Sequence, residues 1–130
     1  IGVVTQPNFI VAREQAYRQD IDKDMHPNVW RLGSFQKKEI PLAAGSDAPF
    51  GSFNPWQAIH AAIHRPVIFD DGEALSPEKA LRLYTTEATD MRIQRIIKIG
   101  SVADLCLMHQ SRNALFKNPI KAKNKKNSCL

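Results

Sequence analysis

The sequence predicts an α/β fold with a parallel sheet, and two observations carry that expectation. Its elements run strand, helix, strand, helix, helix, strand, so the first half alternates as βα units do. The chain has 130 residues, 43% of them hydrophobic, which is enough to bury a core and form one compact domain. It is short for an α/β barrel, which typically needs about 250 residues.

Taken in order, Val3–Thr5 is a short β-branched run closed by Pro7, which fixes its own φ and biases Gln6 toward an extended backbone. Residues 12–28 are mostly polar and read as a solvated loop. Asp20, Asp22 and Asp24 alternate there like the first half of a calcium loop, but the glycine and the distal Glu of that motif are missing. His26, before Pro27, reads as a loop residue. A short helix is expected within 30–39, with Leu32 and Phe35 on one side. The apolar run Ile40–Ala44 is the second strand. It ends at Gly45-Ser46, and Pro49 stops it from continuing as a central strand.

Two helices follow with explicit start signals. Asn54-Pro55 supplies a side-chain cap and a first-turn proline, after which Trp56, Ile59, His60 and Ile63 recur at helical spacing up to Arg65-Pro66. Asp70-Asp71-Gly72 is a turn composition between the helices. Ser76-Pro77-Glu78 repeats the cap, with an acid near the positive helix end and Ala80, Leu81, Tyr84 and Ala88 as the buried stripe. Residues 91–99 fit either period. Val102–Met108 reads as a strand of a second, small sheet, and Asn118-Pro119 breaks the chain again.

Charge and cysteine content narrow the function classes. The net charge is +5, but six of the 18 basic residues (Arg112, Lys117, Lys121, Lys123, Lys125, Lys126) lie from Arg112 onward with no acid among them. That leaves 12 basic against 13 acidic groups, a net −1, in the rest. A lysine-rich end without interleaved aromatics reads as a solvated terminus, so no nucleic-acid partner is expected. Cys106 and Cys129 are too few and too far apart for a disulfide framework, and Cys106 sits in an apolar run where a thiol packs as a small hydrophobe. A reducing, cytoplasmic setting is expected, with no membrane partner, because no apolar stretch approaches the roughly 18 residues that span a bilayer. The chain begins in Ile1-Gly2-Val3-Val4 rather than Met, which predicts a piece cut from something longer.

The candidate site residue is Asp47, a carboxylate delivered by a strand end to a loop, where α/β enzymes place chemistry. An Asp after Gly-Ser also commonly bonds its own backbone in a turn. His60 and His64 have the spacing of the zinc histidines in HExxH. Ala61, Ala62 and Ile63 stand between them, so the catalytic Glu is absent and ordinary packing or surface histidines are expected.

Several blocks in order carry a resemblance: Val3-Val4-Thr5-Gln6-Pro7, then Gly45-Ser46-Asp47-Ala48-Pro49, then Pro55 to Arg65, then Ser76-Pro77-Glu78-Lys79-Ala80-Leu81-Arg82-Leu83-Tyr84-Thr85, then Gly100-Ser101 with Ala103-Asp104-Leu105. From about Ile1 to Met108 the chain resembles the YtcJ-like branch of the amidohydrolase superfamily. The resemblance implies a fragment of a metal-bearing (β/α)8 TIM barrel, its last two βα units, plus a helix and part of a small β-sandwich. It divides the chain into barrel units over 1–90, a partial sandwich over 91–112 and a basic flexible tail over 113–130. Val3–Thr5 and Ile40–Ala44 become the seventh and eighth barrel strands.

The resemblance further makes Asp47 both metal ligand and catalytic proton shuttle for hydrolysis of a non-peptide, amide-type C–N bond in a small molecule. A divalent metal, zinc in the full-length family, lowers the pKa of its bound water toward neutrality, and a nearby carboxylate can take the proton. The family's other ligands, a His-x-His after the first strand and groups on the middle strands, have no counterpart in these residues, so the fragment alone is expected to bind no catalytic metal and to be inactive. The alternative is a non-catalytic barrel remnant that acts as an interaction or assembly module, covered by the rest of a barrel or by self-association. The chain also departs from the family where Ser101 runs through Val102 directly into Ala103-Asp104-Leu105, without the usual intervening Gly-Lys.

Overall fold

The computed structural model describes residues 1–69, 71–121 and 124–129. Strand β1 (Val3–Thr5) pairs in parallel with β2 (Leu42–Ala44) in the register Val3↔Leu42, Val4↔Ala43, Thr5↔Ala44. The backbone extends that pairing at both ends, with Val3 N–H donating to the Pro41 carbonyl and Gly45 N–H to the Thr5 carbonyl, each at 2.9 Å. The expected parallel α/β arrangement is therefore present, with the second strand two residues shorter at its start than Ile40–Ala44. Parallel strands end on the same side, so the loops after Thr5 and after Ala44 are neighbours.

The crossover between the strands holds more helix than the sequence suggests. Helix α1 (Phe9–Ala12) leads into the stretch 12–28 expected as a solvated loop, which helix α2 (Glu14–Asp20) and a 3-10 segment over Lys23–Asn28 largely occupy. Long-range packing stabilises them. Ile10 is 1% exposed in a cluster with Ala61 and Phe69, and Tyr17 meets Phe69 edge-on with ring centroids 6.3 Å apart. Glu14 and Arg18 add an i,i+4 ion pair at 2.7 Å. His26 is not a solvated loop residue. It is buried against Phe69, centroids 5.6 Å apart, and its Nε2 donates to the Ile21 carbonyl at 3.0 Å. Asp20, Asp22 and Asp24 are exposed.

The short helix expected within 30–39 is α3 (Leu32–Lys37). Its first turn receives the buried carboxylate of Glu73, whose Oε2 accepts from Ser34 N–H at 2.7 Å while Oε1 accepts from the Ser34 hydroxyl. Gly33 permits this approach, because a Cβ there would stand 2.8 Å from the Gly72 carbonyl oxygen.

Helices α4 (Pro55–Ile63) and α5 (Pro77–Thr85) start where the caps predict. Asn54 Oδ1 accepts from Trp56 N–H at 3.0 Å, and Ser76 Oγ from Lys79 N–H at 3.4 Å. α4 serves two cores. Ile59 and Ala62 join Leu32, Leu75, Ala80 and Leu83 beneath Leu42 and Ala44, while Ala61 faces Ile10 and Phe69. Each fully buried Leu, Ile or Phe side chain among them contributes about 1.5–3 kcal/mol. The connection to α5 is two 3-10 turns, Val67–Phe69 and Asp71–Glu73; Asp70, expected in that turn, lies outside the described residues.

Beyond α5 the undecided stretch 91–99 folds back through a Thr86↔Gln94 bridge, and Arg95 pairs with Glu87 at 2.9 Å and Asp104 at 2.6 Å. The expected strand over 102–108 reduces to β3 (Cys106–Met108), whose antiparallel partner is β4 (Asn124–Cys129), in a sheet separate from the first. Cys106 is exposed rather than packed as a small hydrophobe, because so short a strand buries no face. Residues expected as a flexible tail carry α6 (Arg112–Lys117), capped by Ser111 Oγ on Ala114 N–H, a 3-10 turn over Pro119–Lys121, and β4; Lys123 lies outside the described residues. Among the described residues no helix is long and apolar enough to cross a membrane.

The Tyr84 hydroxyl is buried with no hydrogen-bond partner among the described residues, and burial pushes its pKa from 10.0 up to about 12. A phenol whose pKa is higher folded than unfolded contributes stability that is present below pH 10.0 and is lost as pH rises toward about 12. Tyr84→Phe is expected to flatten the alkaline limb of a thermal stability–pH profile. At pH 7 it should leave stability unchanged or raise it by up to about 1–3 kcal/mol, since it removes an unpaired buried polar group.

Candidate functional site

At the carboxyl end of β2 the chain leaves the sheet through Gly45-Ser46 and turns at Asp47, whose φ is +52°. Asp is among the few residues that adopt this left-handed conformation readily, and non-glycine residues held there concentrate at ligand sites. The turn is closed locally: Gly51 N–H donates to the Asp47 carbonyl at 3.0 Å and Ala48 N–H to Ser46 Oγ at 3.3 Å. The Asp47 side chain is exposed and makes no hydrogen bond among the described residues, so the carboxylate does not bond its own backbone. Local turn chemistry holds the backbone and leaves the acid open.

The loop after β1 supplies what lies beneath. Asn8 is 6% exposed, yet among the described residues neither Oδ1 nor Nδ2 of its amide has a hydrogen-bond partner. Gly51 packs directly on it. A Cβ at Gly51 would stand 2.6 Å from Asn8 Nδ2 and 3.2 Å from Phe9 Cε1, and would collide with the Ser46 carbonyl oxygen. The parallel ladder thus brings together the Asp47 turn and Asn8. Sequence reasoning did not single out Asn8, because an Asn after Pro is ordinary loop composition and only the packing reveals a buried amide without partners.

The other candidate groups lie elsewhere in the fold. His60 and His64 stand at the carboxyl end of α4 with ring centroids 4.6 Å apart, tilted by 45°. Burial, and secondarily the neighbouring His64, lowers the pKa of His60. His26 is committed to the Ile21 carbonyl, and Asp104 to Arg95. Among the described residues no group of three or more His, Cys, Asp or Glu side chains could hold a metal ion. A catalytic zinc takes about three protein ligands plus water. Asp47 alone does not meet that requirement, and among the described residues no further ligands gather beside it.

The profile of the amidohydrolase family matches residues 1–127. Among solved structures, an uncharacterized metal-dependent hydrolase from Pyrococcus furiosus is similar at 30% identity with a TM-score of 0.58, over 65% of this chain and 18% of that chain. The chain thus spans less than a fifth of that hydrolase's length. No curated protein matches.

The contact between the two loops has a direct test. Gly51→Ala forces the Asp47 turn off Asn8 and is expected to cost about 1–3 kcal/mol in thermal or denaturant unfolding, as overpacking does. Amide resonances of Ser46, Asp47 and Asn8 should shift together. An unchanged melting temperature with unchanged resonances would mean that the turn does not rest on Asn8.

Proposed function

The chain belongs to the amidohydrolase family, and from that premise we propose that it is the C-terminal part of a metal-dependent amidohydrolase of the YtcJ-like branch, acting on non-peptide, amide-type C–N bonds of a small molecule. On this reading β1 and β2 are the seventh and eighth strands of a (β/α)8 barrel, and Asp47 is the acid at the end of the eighth. The observation that supports it most directly is the geometry of that turn: an exposed carboxylate held at φ +52° at the carboxyl end of a parallel strand, where barrel enzymes build their sites.

A divalent metal, zinc by preference, would supply the activated water in the parent enzyme. This chain contributes one ligand of the about three such an ion requires, and by itself it is inactive. What its own residues do is hold a carboxylate open to the site, ready to accept or return a proton once the rest of the barrel surrounds it.

Asp47→Asn in the full-length hydrolase is expected to lower kcat/KM by about 10²–10⁴-fold, the span of a lost general base. Equal turnover of amide substrates by Asp47→Asn and the unmodified enzyme would remove Asp47 from the mechanism.

A second reading, a non-catalytic barrel remnant serving as an assembly module, draws support from exposed apolar side chains around the sheet and the Asp47 loop. Val4 is 59%, Phe50 75% and Phe53 86% exposed. Parallel sheets are ordinarily covered on both faces, and an open strand edge invites pairing. Under this second reading the 130-residue chain self-associates. Sedimentation across a concentration series should then show a mass rising above the monomer's 14.6 kDa, and a constant monomer mass would count against it.

A further inference from the structure

The histidine pair on α4 is separate from the Asp47 turn in sequence and in element, and the proposed function leaves it unused. His60 lies in the last turn of the helix and His64 at its C-cap, where His64 N–H donates to the His60 carbonyl at 2.7 Å. Residues four apart on a helix share one face, and here the rings have turned toward each other, 4.6 Å between centroids. Neither imidazole makes a hydrogen bond among the described residues. His64 is exposed and His60 half-buried, so the pair is open to solvent on one side.

We propose that His60 and His64 form a two-nitrogen chelate for a late first-row divalent cation, with Cu2+ the preferred ion. A metal about 2.0–2.1 Å from each of two imidazole nitrogens holds those nitrogens within about 4 Å of each other. Rings whose centres are 4.6 Å apart reach that span by side-chain rotation, with no change in the helix. The helix end also carries partial negative charge on its free carbonyls, which favours a cation. The neighbouring Arg65 guanidinium is turned inward, donating to the carbonyls of Val29 at 2.7 Å, Trp30 at 2.9 Å and Phe69 at 2.7 Å. Imidazole ligands order the divalent ions so that Cu2+ binds most tightly, ahead of Ni2+ and Zn2+, with Mn2+ weakest. Two ligands leave the remaining coordination positions to water, so the site is a binding site without the closed shell of a structural zinc.

The test titrates Cu2+, Ni2+, Zn2+ and Mn2+ into the 130-residue chain by calorimetry and, for Cu2+, by quenching of Trp56, which stands one turn before His60 on α4. One Cu2+ per chain is expected, with affinities in the order above. His60→Gln and His64→Gln should each weaken Cu2+ binding by at least about tenfold, the lower range for disturbing a metal site. His64 is exposed, so His64→Gln keeps the fold, which circular dichroism verifies. Asp47→Asn should bind Cu2+ as the unmodified chain does. Undiminished binding in the His60→Gln/His64→Gln double variant would overturn the site, as would the absence of saturable Cu2+ binding. Metal affinity that falls with Asp47→Asn would move the ion to the strand-end turn instead. None of these outcomes bears on turnover by the full-length hydrolase, so the chelate and the proposed function stand or fall separately.

Discussion

Three residue pairs of parallel ladder, Val3–Thr5 on Leu42–Ala44, decide most of the architecture. A parallel pair cannot be joined by a tight turn, so residues 6–41 must leave the sheet, pack, and return in the same direction. That excursion supplies α1, α2 and α3, and its return sets the Asp47 turn beside Asn8. Shifting the register by one residue would exchange the two faces of β2, taking Leu42 and Ala44 away from the cluster of Leu32, Ile59 and Leu83.

Helix α4 couples the ladder to the rest. Its small residues, Ala58, Ala61 and Ala62, let neighbours approach from both sides, and the Ala62 carbonyl accepts from Leu75 N–H at 2.9 Å to fasten the return toward α5. Two buried charged groups complete the packing. Arg65 serves carbonyls that end the segments at Val29, Trp30 and Phe69, and Glu73 serves the amino end of α3. Hydrogen bonds to charged groups contribute about 1.5–3 kcal/mol each, more than the exposed Glu14–Arg18 pair can. Buried charges with defined partners, rather than surface pairs, therefore hold the irregular connections in place.

The site is less complete than its scaffold. Asp47 is presented by a turn whose backbone is tied at Gly51 and Ser46, while Asn8 beneath it carries an amide that engages no partner among the described residues. An unsatisfied buried amide of this kind costs about 1–3 kcal/mol per group. With the exposed Phe50, Phe53 and Val4, it leaves apolar surface and an unsatisfied amide around the strands and the Asp47 loop.

Features with local causes were legible in the sequence. Asn54-Pro55 and Ser76-Pro77 start helices through their own side-chain oxygens and fixed φ, the apolar runs at Val3 and Ile40 form strands, and the ordered blocks from Gln6-Pro7 to Ala103-Asp104-Leu105 point to the amidohydrolase family. What depends on distant partners was not. The polar stretch 12–28 becomes largely helical because Ile10, Tyr17 and His26 converge on Phe69, more than forty residues away in sequence from each. Cys106 is exposed because its strand is too short to bury a face, and Gly51 of another loop packs against the buried Asn8. Residue types and spacings determined where α4 and α5 start and that Asp47 follows a strand. The tertiary structure alone decided what stands beside that carboxylate, since burial and close approach belong to segments that meet only once the parallel ladder has formed.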